Sequence, residues 1–123
     1  MSTDFNLISE LHDKTLVIKT EGYINNIGGE KIVQEFTKHN GINKLILNLE
    51  NSKVVNSIGI SHLIEVIEQL NQGNGKLIFT NLDPTIEKTF SIMGLFQFAD
   101  KADTVETALT NWFVTAGYCW ILD

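Results

Sequence analysis

Residues 44 to 80 read KLILNLENSKVVNSIGISHLIEVIEQLNQGNGKLIFT, and the way this stretch divides decides the fold. Its opening, KLILNLE (44–50), is a continuous apolar run with polar ends, the pattern of a strand covered on both faces. From Ser57 to about Asn71 the pattern changes to a helical period, with Ile60, Leu63, Ile64, Ile67 and Leu70 on one stripe. QGNG (72–75) stops that helix, and KLIFTNL (76–82) repeats the buried-strand pattern. Strand, crossover helix and strand in this order make parallel neighbours, because a helix-length connection is what a parallel pair needs.

Upstream, FNLISEL (5–11) and TLVIKTEG (15–22) flank His12-Asp13-Lys14, which predicts an antiparallel hairpin. Ile32, Val33 and Phe36 then recur at helical spacing, and this helix is expected to run from Ile27 to a stop at Asn40-Gly41. Downstream, Asp83 is a candidate N-cap with Pro84 at the first helical position and Gly94 as terminator. LFQFA (95–99) reads as a short last strand and DTVETALTNWF (103–113) as a last helix. The expected architecture is α/β, a mixed and mostly parallel sheet of about four or five strands with about four helices, in the order β-β-α-β-α-β-α-(β)-α. It occupies residues 1–113 as one domain, and residues 114–123 form an apolar tail to which the pattern assigns no shape.

Composition narrows the function classes. The chain has 123 residues, 43% of them hydrophobic and 20% charged, enough for one domain with a core and too few for two. Nine basic residues are scattered singly and the net charge is −6, so a nucleic-acid partner is not expected. No apolar run approaches the roughly 18 residues of a membrane span. MSTDFNLISE carries acids where a secretory signal carries Lys or Arg, and the lone Cys119 fits a reducing compartment, so a cytoplasmic location is expected.

Ser57, at the seam between loop and helix, could be a cap, a nucleophile or a phosphoacceptor. A catalytic Ser needs a base within hydrogen-bond reach. The nearest in sequence, His62, lies five residues on, which leaves the two side chains roughly 140° apart around a helix. NSIGI also lacks the Gly-x-Ser-x-Gly elbow. His12, His39, His62 and Cys119 form no metal-ligand spacing, and GGEK (28–31) reads as the start of the first helix rather than a phosphate cradle, so no metal or nucleotide cofactor is expected. Either Asn56 or Ser57 caps the helix, worth roughly 1 kcal/mol. A phosphate on Ser57 would carry about −1.5 to −2 charges beside the positive end of a helix macrodipole, where charge of that sign is tolerated.

Taken in order, TEGYINN (20–26), LILNLENSKVVNSIGISHL (45–63), GKLIFTNLDPTIEKTF (75–90) and IMGLFQF (92–98) resemble the STAS domain, in particular the short anti-sigma factor antagonists. Each piece is weakly specific; their order and spacing together are not. The resemblance implies a protein that acts by binding and not as an enzyme. Its partners would be an anti-sigma factor that is also a serine kinase, with ATP as the kinase's cofactor, and a resetting phosphatase of the PP2C type. The phosphorylated residue maps onto Ser57 and the motif Gly onto Gly59. The kinase-facing surface maps onto the loop and outer helix face that hold Asn25, Asn56, Ser57, Ile58, Gly59, Ser61 and His62, with Glu65 and Glu68 further along the same outer face. Two residues depart from the family pattern: Asn56 and Asn25 stand where Asp is expected. Asn serves as a turn or cap residue as well as Asp does. An amide also spares a nearby phosphate a repulsion of roughly 0.7–3 kcal/mol per charge at about 6 Å. The other readings left open are a non-switching STAS module that scaffolds a signalling or lipid-transport complex, and an enzyme of similar fold.

Overall fold

The two buried-strand runs become inner strands of one five-stranded sheet whose strands lie side by side in sequence order. The structure, a computed structural model, describes residues 5–110. β1 (Asn6–His12) and β2 (Thr15–Glu21) form the antiparallel hairpin, turning through Asp13 at φ 61°. β3 (Lys44–Asn51), β4 (Lys76–Thr80) and β5 (Asp100–Ala102) then add in parallel. The helices α1 (Asn26–Thr37), α2 (Ser57–Gln72) and α3 (Pro84–Ile92) are the crossovers, and α4 covers 105–110. The expected fold class and element order hold.

The sheet is buried unequally on its two faces, and β3 shows why its sequence did not alternate. Leu45, Leu47 and Leu49 enter the main core with Leu16, Ile18, Ile32, Leu63, Phe79 and Phe90. Ile46, between them, points the other way into a smaller cluster with Val17, Ile78 and Ala108 of α4. Both faces of the strand are dry, so both sets of side chains are apolar. Within the main core, Phe79 packs on Phe90 at 4.9 Å and on Phe96 at 6.1 Å between ring centroids, the second nearly edge to face.

Three expectations are corrected. LFQFA is not a strand: Leu95–Gln97 is a 3-10 turn that follows Gly94, whose φ of 80° ends α3. Leu95 and Phe96 are apolar because this turn points them into the core, whereas the strand that closes the sheet is the polar DKA of β5, held by backbone pairing to β4. The first helix ends at Thr37, a few residues short of Gly41, which does take the left-handed conformation at φ 83°. Ile64 leaves the predicted stripe of α2 and is 36% exposed, while Val66 is fully buried in its stead. The tail, 114–123, and the end of the predicted last helix lie outside the described residues.

Lys44 is the one charged group sealed in the described core, 1% exposed, with Nζ donating to the Ala108 carbonyl at 3.2 Å. Burial, reinforced by repulsion from Lys76, pushes its ammonium down to about 8 from 10.5. Below about pH 8 folded and unfolded chains both hold the proton, and the fold bears the whole penalty. Between pH 8 and 10.5 the folded chain sheds that proton first, so this residue's contribution to stability rises across that window. Urea unfolding of wild type and Lys44→Met at pH 7 and pH 10 checks this. Wild type should gain stability relative to Lys44→Met between the two pH values, by at most about 3 kcal/mol.

Candidate functional site

The site is built where two helices start side by side at the carboxyl end of the sheet. Beyond β2 and β3 the chains stay joined by an isolated parallel bridge between Ile24 and Val55. Ile24 N–H donates to the Val54 carbonyl at 3.0 Å, and Asn56 N–H donates to the Ile24 carbonyl at 3.2 Å. The next residue on each chain is a cap. Asn25 Oδ1 accepts from Gly28 N–H at 3.0 Å at the start of α1, and Asn56 Oδ1 accepts from Gly59 N–H at 2.8 Å at the start of α2. The question left open between Asn56 and Ser57 is thereby resolved: Asn56 caps, and Ser57 is the exposed first residue of α2.

Two glycines let these helix starts approach. A Cβ on Gly59 would lie 2.1 Å from the Ile24 carbonyl oxygen, and one on Gly29 would lie 2.6 Å from the His62 ring. His62 Nε2 makes a hydrogen bond of 3.0 Å with Asn26 Oδ1, and its Nδ1 is 3.7 Å from Glu65. His62 therefore ties α2 to α1; its described partners are Asn26 and Glu65, not the Ser57 hydroxyl. Ser61 turns its hydroxyl back to the Ser57 carbonyl at 3.1 Å and stays exposed.

The electrostatics differ from those of α3. That helix has carboxylates at its start, Asp83 accepting from Thr85 N–H at 3.1 Å and Glu87 in the first turn. α1 and α2 are capped by amides and have no acid in their first turns. Two positive helix ends thus converge with no carboxylate in either first turn; the carboxylates beside this surface are Glu21, next to Tyr23 and Val54, and Glu65, next to His62. Around them Tyr23, Ile27, Val54 and Ile58 stand exposed, Ile27 at 59% and Ile58 at 52%. Apolar side chains left open around a polar centre are typical of a surface that another molecule covers.

This arrangement of a hairpin followed by parallel crossovers is found again in known proteins. The family model of the STAS domain matches residues 6–108. The chain belongs to the STAS domain family. Its relatives include the candidate anti-sigma factor antagonist BtrV of Bordetella bronchiseptica, 26% identical over 98 residues, which are 78% of this chain and 84% of that one. Among solved structures, a candidate anti-sigma factor antagonist from Thermotoga maritima superposes with a TM-score of 0.78 at 14% identity, over 85% of this chain and 92% of that one. The Bacillus cell fate determinant SpoIIAA in its phosphorylated form gives 0.68 at 24% identity, over 88% of this chain and 98% of that one. The STAS domain inferred from its sequence is therefore the domain present, and its relatives by sequence and by fold include anti-sigma factor antagonists.

Of the residues singled out from sequence, Asn25, Asn56, Ser57, Ile58, Gly59 and His62 come together at this end, and Ser61 lies one turn along the exposed face of α2. Sequence reasoning missed Asn26 and Gly29, the two α1 residues that receive His62, and the apolar rim of Tyr23, Ile27 and Val54. The paired glycines at 28–29 were the available signal, since adjacent glycines inside an amphipathic helix mark a close approach. Among the described residues no three His, Cys, Asp or Glu side chains converge as a metal site would require.

Proposed function

We propose that this chain is an anti-sigma factor antagonist that binds an anti-sigma factor with serine kinase activity and is switched off by phosphorylation at Ser57, so regulating transcription. The observation that carries this reading is the exposed Ser57 hydroxyl at the first position of α2, between two amide-capped helix starts without acids and inside a rim of open apolar side chains. An unphosphorylated Ser leaves that rim free to be covered. A phosphate dianion there is tolerated by the free domain, because the helix ends face it, but it would have to be stripped of water when a partner closes over the rim. The partner-binding set is Asn25, Asn56, Ser57, Ile58, Gly59, Ser61 and His62. The domain acts by binding in the cytoplasm and is not an enzyme; ATP belongs to the kinase, and a PP2C-type phosphatase restores the free hydroxyl.

The second reading is a STAS module that is never phosphorylated and scaffolds a signalling or lipid-transport complex. It is favoured by the amides: Asn25 and Asn56 each use Oδ1 as a cap, and an amide cannot serve as the carboxylate that would orient the Ser57 hydroxyl for a kinase. Incubation with the kinase encoded nearest this gene, with ATP, followed by intact mass measurement, separates the two. The switch predicts a gain of one phosphoryl group on wild type and none on Ser57→Ala. An unchanged wild-type mass, with the kinase active on another substrate, assigns the scaffold.

A further inference from the structure

A second unpartnered surface lies along the C-terminal half of α2, where the displaced Ile64 points. Between α2 and the turn after α3 runs an open groove of about 510 Å³. Ile67 and Leu95, each 3% exposed, form its floor, and Ile64, Met93 and Phe98 form its lips at 36%, 50% and 64% exposure. The groove is built into the fold rather than left by a loose loop. Gly94 is left-handed at its end, and Asn71 Nδ2 donates to the Phe98 carbonyl at 3.3 Å across it.

What covers it follows from area and charge. Three apolar lips amount to a few hundred Å² at most, well below the roughly 800 Å² per partner of a stable protein–protein interface. A single secondary-structure element fits; a whole second copy does not. One wall carries Glu68, with Glu65 three residues before it on the same exposed side. Glu65 has only His62 near it, at 3.7 Å, and no ion pair reaches Glu68 among the described residues. A second copy would bring a net charge of −6 against these acids, and residues 111–123 of this chain contain no Lys or Arg.

We propose that the groove docks an amphipathic helix of a second partner protein, with Leu- or Met-like side chains between Ile64, Met93 and Phe98 and Lys or Arg side chains against Glu65 and Glu68. This is the helix-in-groove mode, with apolar anchors at i, i+3 or i+4 and cations at their flank. The groove lining does not include Ser57, and Glu65 lies at the border of the two surfaces, beside His62 on one side and Glu68 on the other.

The probe is a synthetic amphipathic peptide of about 16 residues, with Leu at i, i+3, i+4 and i+7 and Lys at the flanks, against a control with Glu for Lys. It is titrated into the isotope-labelled full-length chain and followed by amide shifts. Shifts are expected at Ile64, Glu68, Met93, Gly94 and Phe98, with binding that weakens as salt rises and is absent for the acidic control. Phe98→Asp and Glu68→Lys should each weaken it severalfold or more, while Ser57→Asp leaves it unchanged. Phe98→Ser replaces the Asp variant if that one melts early. The proposal fails if the peptide does not bind, if shifts map elsewhere, or if the acidic control binds equally. It also fails if folded Phe98 variants bind as wild type, or if sedimentation shows self-association abolished by Phe98→Asp, which would give the groove to a second copy.

Discussion

Gly59→Ala should destabilise the fold by about 2 kcal/mol or more, although it adds a single methyl and a better helix former. The new Cβ would meet the Ile24 carbonyl oxygen at 2.1 Å and the carbonyl carbon at 2.8 Å. Both are backbone atoms and cannot rotate away. Relief requires moving the strand end or the helix start. That would strain the Ile24–Val54 and Asn56–Ile24 hydrogen bonds, at 3.0 and 3.2 Å, which hold the two caps together. Each such bond is worth about 1 kcal/mol net, and overpacking adds about 1–3 kcal/mol. The gain in helix propensity, about 1 kcal/mol, offsets only part of this. Gly41→Ala is the control: its φ is 83°, but nothing lies within 4 Å of the added Cβ, so only the milder backbone strain remains. Urea unfolding of the three proteins tests the ranking, and a Gly59→Ala chain as stable as wild type would mean that the bridge is not rigid.

The same bridge explains what the sequence made legible and what it hid. β3, α2 and β4 could be read because each signal is local: a dry strand is apolar throughout, and a half-buried helix is apolar every three or four residues. Asn25, Asn56 and Asp83 could be read as turn or cap residues for the same reason, since a cap satisfies its own helix. The adjacency of the two caps was not local. It comes from one residue pair, Ile24 and Val55, outside any named strand, and from His62 reaching Asn26 across 36 residues. β5 was misplaced because backbone pairing at an edge leaves no mark on side-chain pattern, whereas the apolar residues before it mark a core-facing turn. Ile64 was misassigned because a helical stripe has a margin, and only the neighbour across it decides whether a marginal residue is covered.

Ser57→Asp is expected to leave the domain folded and to weaken binding to the proposed anti-sigma factor by roughly 30-fold to several thousand-fold. The first half follows from the free domain. Ser57 is exposed at the first position of α2, its hydroxyl makes no hydrogen bond among the described residues, and a carboxylate near a helix N-terminus adds about 0.3–1 kcal/mol of stability. The melting temperature should hold or rise slightly. The second half follows from the proposed complex. A partner that covers Tyr23, Ile27, Val54 and Ile58 removes water from the charge at their centre, and neither Asn25 nor Asn56, whose Oδ1 atoms accept from helix N–H groups, carries a positive charge to replace that water. An uncompensated charge buried in an interface costs about 2–5 kcal/mol. The two effects have opposite signs, so a stabilised domain that no longer binds cannot be explained by unfolding. Ser57→Ala should bind as wild type. Isothermal titration against the partner, beside a thermal melt, measures both halves, and a Ser57→Asp chain that binds as tightly as wild type ends the switch reading while leaving the scaffold intact.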